Sequence, residues 1–177
     1  MRFTAKIATS TAAVAMMAGT FAGVSSAQES PSTGAPRGAR ATLGSDSIDL
    51  GTSWRGADVC EVGTSGKVRC WDGDTADTPA EKAAFAKRYK CEKGWVCLYD
   101  KANLKGRMLR FNDGGWNNLG PYGFNNKTSS VWNRQSGIAS RAWFSTKSSG
   151  KGKQWYYDPG KVKKMGKYSN KANSVYP

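Results

Sequence analysis

From Cys91 to the C terminus the apolar positions fall in short runs: Trp95 to Tyr99, Arg107 to Phe111, Ser130 to Asn133, Ala139 to Phe144 and Lys153 to Tyr157, separated by glycine, asparagine and serine. No run holds a helical period. Alternating or continuous aromatic and β-branched runs of this length are strands, so the segment reads as all-β. Upstream, Ser53 to Val62 and Lys67 to Asp72 flank Gly63-Thr64-Ser65-Gly66, the pattern of two cysteine-bearing strands joined by a hairpin turn. Thr78-Pro79-Ala80-Glu81 then supplies a cap residue, proline at the first helical position and glutamate at the third, ahead of Lys82 to Tyr89. That predicts one short helix, which needs packing by Phe85 or Tyr89 to persist.

The N-terminal pattern differs. Arg2 and Lys6 lead into an apolar run that ends in Ser25-Ser26-Ala27, which reads as a signal peptide over residues 1–27. The run is too short and too weakly apolar for a comfortable membrane span. Residues 28–45 are Ser, Gly, Pro, Ala and Arg in low-complexity order, a flexible linker. Residues 46–90 form a small extension carrying the hairpin and helix, and residues 91–177 form the β-domain.

That β-domain repeats. Leu98-Tyr99-Asp100 aligns with Trp143-Phe144-Ser145, and Gly106 to Phe111 with Gly152 to Tyr157. Asn118-Leu119-Gly120 aligns with Lys164-Met165-Gly166, and Asn125 to Trp132 with Ser169 to Tyr176. Two units with one order of features predict two Greek keys, each unable to bury its apolar face alone, closing into one sandwich.

Composition narrows the chemistry. The 177 residues contain no histidine, which removes imidazole bases, Ser-His and Cys-His nucleophile pairs and zinc sites with nitrogen ligands. The remaining catalytic groups are sparse carboxylates at non-equivalent places in the repeat, with Glu61, Asp72, Asp74 and Asp77 in the turn-rich extension, so no enzyme is expected. The four cysteines favour two disulfides in an exported chain; of the three pairings, Cys60 with Cys70 and Cys91 with Cys97 is the simplest. A four-thiolate zinc site would be expected to show a CxxC pair, and none is present. Charge is lopsided: from Cys91 onward 16 basic residues face only Glu92, Asp100, Asp113 and Asp158. Such a field favours anionic partners, or simply keeps an exported protein soluble.

The residues Tyr99-Asp100 through Asn103, with Gly106 and Phe111 and then Asn125-Asn126-Lys127-Thr128-Ser129-Ser130, resemble the βγ-crystallin motif. The wider string from Cys91 to Trp132, above all Cys97-Leu98-Tyr99, Leu109-Arg110-Phe111 and Tyr122 to Trp132, is similar to peptidase inhibitor family I36, secreted actinobacterial proteins typified by a Streptomyces metalloproteinase inhibitor. The resemblance implies a βγ-crystallin-like sandwich. Gly106 and Gly152 then bend the chain before a strand, where positive φ is cheap only for glycine. Ser130 and Ser174 would cap the folded hairpins through backbone amides of their own keys.

The same resemblance implies oxygen ligands for calcium. One site would use the Lys127 carbonyl and the Ser129 hydroxyl, completed near Ser145 of the opposite key. The paired site would use the Lys171 carbonyl and Asn173, with Asp100 supplying a carboxylate. The second run departs from the pattern at Ser169 and Asn173. No cofactor is required on this reading, and any calcium binding is weak.

Functionally, the resemblance implies a secreted, extracellular and monomeric peptidase inhibitor, acting on a secreted protease by protein binding. Asn112 to Gly120 and Lys147 to Lys153 are the candidate contact loops, and nothing in the sequence selects a scissile bond. The alternative is a non-inhibitory βγ-crystallin module that binds calcium or an anionic cell-wall polymer. Lysine and arginine interleave with Trp116, Trp132, Trp143, Trp155, Tyr156 and Tyr157, which suits stacking plus charge, although a small β-domain also needs aromatics for its core. Export disfavours nucleic acid as the partner, and no membrane association is expected once the signal is removed.

Overall fold

The computed structural model describes residues 38–137 and 140–177. The expected signal peptide, linker residues 28–37 and Ala139, the expected start of one strand, lie outside the described residues. In chain order the strands are β1 (Arg40–Leu43), β2 (Asp46–Asp49), β3 (Val59–Val62), β4 (Val68–Trp71), β5 (Val96–Lys101), β6 (Lys105–Phe111) and β7 (Asn117–Asn118). They continue with β8 (Ser130–Asn133), β9 (Ala142–Ser145), β10 (Gln154–Tyr157), β11 (Gly160–Val162) and β12 (Ser174–Tyr176). One α-helix, α1 (Pro79–Tyr89), lies between β4 and β5.

Two sheets form. The first runs β11-β8-β5-β6-β3-β4-β1-β2 and the second β10-β9-β12-β7. Each key therefore lends its third strand to the other sheet: β7 pairs with β12, and β11 pairs with β8. This exchange makes the two keys one sandwich of the βγ-crystallin kind, because neither sheet is complete without a strand from the opposite key. Val96, Leu98, Leu109, Phe111, Leu119, Phe124 and Val131 of the first key meet Phe144, Trp155, Met165, Ala172 and Val175 of the second in a shared interior.

The N-terminal segment is part of that sheet and core. Strand β3 lies parallel to β6, with Val59 opposite Met108 and Val62 opposite Phe111. The β6 edge, which would otherwise present unpaired backbone groups, is thereby continued by four strands. Ile48, Leu50, Trp54, Cys60 and Val62 join the interior of the sandwich. Trp54 donates from Nε1 to the Tyr122 carbonyl at 2.8 Å, and its ring lies 5.5 Å from Phe124. The linker expected through residue 45 is corrected at its end: Arg40–Leu43 is a strand with Ala41 buried, because β4 and β2 offer it partners on both sides.

The disulfides join Cys60 to Cys70 and Cys91 to Cys97. The first is a directly opposed cross-strand pair of the β3–β4 hairpin. Helix α1 starts at the Thr78 cap, where Thr78 and Glu81 form a reciprocal capping box. The helix buries no residue fully, and Phe85 and Tyr89 lean on a cluster of Val59, Cys91, Cys97, Tyr99 and Met108 on the outer face of the first sheet. The Tyr89 hydroxyl donates to the Gly106 carbonyl. Buried Arg110 clamps the arrangement, pairing with Glu61 at 2.5 Å and donating to the Arg88 carbonyl at 3.2 Å. Among the described residues no helix is long and apolar enough to cross a membrane.

Candidate functional site

The keys are related residue by residue, and the hydrogen bonds give the register. Ser130 Oγ donates to the Lys101 carbonyl at 2.6 Å and accepts from Leu104 N at 3.0 Å. Ser174 Oγ donates to the Lys147 carbonyl at 2.7 Å and accepts from Gly150 N at 3.1 Å. Each serine therefore ties the folded hairpin of its own key. Asp100 accepts from Arg107 N, as Thr146 accepts from Lys153 N. Lys101 thus corresponds to Lys147, Asp100 to Thr146 and Tyr99 to Ser145, which moves the expected alignment of β5 with β9 by one residue. A one-residue shift reverses which side chains face the core. Leu98 and Phe144, now equivalent, both point into the interior.

The two glycines act differently. Gly106 has φ +77, and a Cβ there would lie 2.0 Å from Asp100 Oδ1. Gly152 does not have positive φ, which corrects the expectation for it. Space is what requires glycine there, since a Cβ would lie 2.4 Å from Thr146 Oγ1 and 2.7 Å from Lys147 N.

The two polar runs cross one another. Asn126 N donates to the Ala172 carbonyl at 2.9 Å, and Asn170 N to the Thr128 carbonyl at 2.8 Å. Ser129 Oγ donates to Asn170 Oδ1 at 2.9 Å, and the Asn173 side-chain amide to Asn126 Oδ1 at 3.3 Å. The result is a symmetric clasp between the keys. Ser129 and Asn173 also hold the first strands of their own keys, Ser129 N to the Tyr99 carbonyl and Asn173 N to the Ser145 carbonyl, each at 2.8 Å.

A calcium ion takes six to eight oxygens, and carboxylates set its affinity. Asp100, the expected carboxylate, is engaged on both oxygens by Arg107, through N at 2.9 Å and Nε at 2.8 Å. Ser129 bonds Asn170, the Asn173 amide donates to Asn126 Oδ1 and to the Thr146 carbonyl, and Lys127 and Lys171 are exposed beside them. Lys127 Nζ donates to the Gly123 carbonyl at 2.7 Å. Among the described residues no three acidic, cysteine or histidine side chains converge. Asp100, the one carboxylate expected among these ligands, is neutralised by Arg107.

The two candidate contact loops meet in one ridge. Ser149 N donates to Asn118 Oδ1 at 2.7 Å, and Gly150 packs on Trp116 so closely that a Cβ would lie 2.3 Å from its indole. Apart from that of Ser148, the backbone amides from Lys147 to Lys153 each have a partner. Lys147 N and Gly152 N donate to Ser145 Oγ, Gly150 N to Ser174 Oγ and Lys151 N to the Ser148 carbonyl. Gln154 adds a 2.6 Å bond to the Gly150 carbonyl. Hydrogen bonds thus brace this loop where cysteines would otherwise be needed.

The outer faces of the sheets differ. On the first, Cys97 and Arg110 are 0% and 2% exposed beneath the helix and the Cys91–Cys97 loop. Trp132 in the same row is half-buried. The equivalent positions on the second sheet are Trp143, Tyr156 and Tyr176, with the tyrosines 40% and 41% exposed. The mixed aromatic list read from the sequence is thereby sorted: Trp155 is core, while Trp116, Trp143 and Tyr156 line the second outer face. Tyr176 was missed, although its alternation with buried Val175 marks it as outward-facing.

The model of peptidase inhibitor family I36 matches residues 84–160. This stretch runs from the helix through the first key to β10, so it includes the Cys91–Cys97 disulfide and both loops of the ridge. No curated protein matches the chain. Among solved structures, the N-terminal domain of protein S aligns with TM-score 0.40 at 16% identity, covering 46% of this chain and 92% of that domain. A βγ-crystallin from Ciona intestinalis aligns with TM-score 0.38 at 23% identity, covering 47% and 98% respectively. A βγ-crystallin from an archaeon aligns with TM-score 0.37 at 23% identity, covering 48% and 98%.

Proposed function

We propose that this chain, residues 84–160 of which match peptidase inhibitor family I36, restrains a secreted peptidase by binding it, with no turnover of its own. The observation that carries the reading is the braced ridge inside the matched region. A loop that inhibits must already hold its bound shape, because ordering it on contact would consume the interaction energy. Here the loop from Lys147 to Lys153 is held by amides on Ser145, Thr146 and Ser174, and Asn118 joins it to the neighbouring loop. Two disulfides support an oxidising, extracellular setting. A metallopeptidase is the target class we favour, from the family resemblance.

The test is progress-curve inhibition of a panel of secreted metallopeptidases by the full chain, with Asn118→Ala beside it. Slow, tight inhibition that weakens in the variant is expected. Absence of slowing for every peptidase at micromolar protein, or rapid cleavage of the ridge as ordinary substrate, would refute it.

Calcium is not needed for this role on our reading, since the crossed runs hold the keys together with their own amides and hydroxyls. Millimolar calcium should leave tryptophan fluorescence and the melting temperature unchanged; a saturable rise in melting temperature, lost in Ser129→Ala, would show that calcium displaces the clasp.

A further inference from the structure

The bare outer face of the second sheet, which adjoins the ridge at Trp116 and along the Lys147–Lys153 loop, carries an inference of its own. We propose that this face is a stacking platform for an anionic polysaccharide. Tyr156, Trp143 and Tyr176 occupy one row across β10, β9 and β12, directly opposed in the strand register. Adjacent strands are about 4.8 Å apart, so the three rings form a strip about 10 Å long, with Trp143 and Tyr156 tilted 52° to one another. Trp116 lengthens it, with its ring 5.8 Å from that of Tyr176. Tyr156 and Trp143 brace one another at 4.8 Å.

The contrast with the first sheet shows that the exposure is not a requirement of the fold. At the equivalent row the chain places a disulfide sulfur, an arginine held by Glu61, and a tryptophan, and lays the helix and disulfide loop over that face. Among the described residues no helix or disulfide loop lies over the second row, and Arg141 alone is placed over one of its rings, that of Tyr156. Large aromatic side chains left on a rigid face are unfavourable in water unless something covers them.

Charge and shape identify the occupant. Arg141 sits 4.3 Å above the Tyr156 ring, and the loop bordering the row carries exposed Lys147, Lys151 and Lys153. The one acid at this end, Asp158, is paired with Arg141 at 3.1 Å. The surroundings are therefore positive, as is the whole segment from Cys91, and attract a polyanion. The face is open, with a hollow of about 260 Å³ between Trp116, Trp143, Gln154 and Tyr176. A protein partner would be met by deeper anchoring pockets. Pyranose rings present one apolar face each to an aromatic strip, and their acid groups reach the basic border while hydroxyls reach Gln154. The disulfides favour an oxidising compartment, where polysaccharide is the more accessible polyanion than nucleic acid.

The test uses the full chain with polygalacturonate as probe, followed by tryptophan fluorescence and calorimetry. Fully methyl-esterified polygalacturonate is the uncharged control, and oligo-deoxythymidylate the nucleic-acid control. Saturable binding to polygalacturonate is expected, falling steeply with salt and nearly absent for the ester. Tyr156→Ala and Tyr176→Ala, both at exposed positions, should each weaken binding roughly ten- to hundred-fold at unchanged melting temperature. Arg141→Ala should weaken it and flatten its salt dependence. No binding at low salt, or binding untouched by both tyrosine variants, would overturn the platform. Tighter binding of oligo-deoxythymidylate would assign the face to nucleic acid instead, and a dimer dispersed by Tyr156→Ala would assign it to a second copy. Inhibition of a peptidase retained in Tyr156→Ala separates this surface from the ridge.

Discussion

Replacing Ser174 by alanine tests the hairpin tie on which the ridge depends. The side chain is fully buried, and its Oγ bridges the Gly150 amide and the Lys147 carbonyl at 3.1 and 2.7 Å. Alanine leaves both without that partner. The Gly150 amide is buried, so its loss costs about 1–3 kcal/mol; the Lys147 carbonyl belongs to an exposed residue and regains water, costing about 0.5–1 kcal/mol. A total of about 1.5–4 kcal/mol lowers the melting temperature by roughly 3–16 °C in a chain of this size. Urea unfolding followed by tryptophan fluorescence should show a lower midpoint with unchanged slope. Ser130→Ala, which makes the same two bonds in the first key, should cost the same to within about 1 kcal/mol, and the double variant should be additive because no partner is shared. Only Ser174→Ala should weaken peptidase inhibition beyond its effect on stability. If either substitution costs less than about 0.5 kcal/mol, the serines are not ties and the register drawn from them loses its support.

Two further outcomes follow from the packing. Burial raises the pKa of Tyr89, Tyr99, Tyr122 and Tyr157, with nearby Asp58 and Asp100 adding to the effect at Tyr89, and Asp113 at Tyr122. Their folded values exceed the unfolded value of about 10, so their contribution is intact below about pH 10 and is lost as pH rises through the folded values. Urea midpoints should therefore decline above about pH 10, with phenolate absorbance rising in step with unfolding; a flat midpoint to about pH 12 would contradict the burial. A chain cut to begin at Cys91 loses Ile48, Leu50, Trp54, Cys60 and Val62 from the interior and leaves β6 as an edge. It should aggregate or melt far below the full chain, as measured by sedimentation and calorimetry, and an unchanged melt would refute the shared core.

Local chemistry was legible without coordinates. The capped helix follows from Thr78-Pro79 and Glu81, and the hairpin disulfide from cysteines flanking a glycine-bounded turn. The repeat was legible as well, but its register at β5 and β9 was off by one. Aromatic matching favoured setting Phe144 against Tyr99, whereas the backbone bonds equate Phe144 with Leu98. The calcium expectation rested on residue types that can ligate. Whether those oxygens are free depends on which partners folding brings to them, Arg107 across the hairpin for Asp100 and Asn170 of the other key for Ser129.

What the amino-acid order settles here is short-range: caps, turns, strand alternation and the segregation of positive charge into the C-terminal half. These follow from neighbours a few residues apart and from composition. The tertiary structure alone decided that each key hands a strand to the other, that the N-terminal strands join the same sheet, and that one outer face is roofed while its twin stays bare. Those outcomes depend on which surfaces meet after the chain has closed, and the covering of the Cys97–Arg110 row beside the exposure of its aromatic equivalent is a property of that closure.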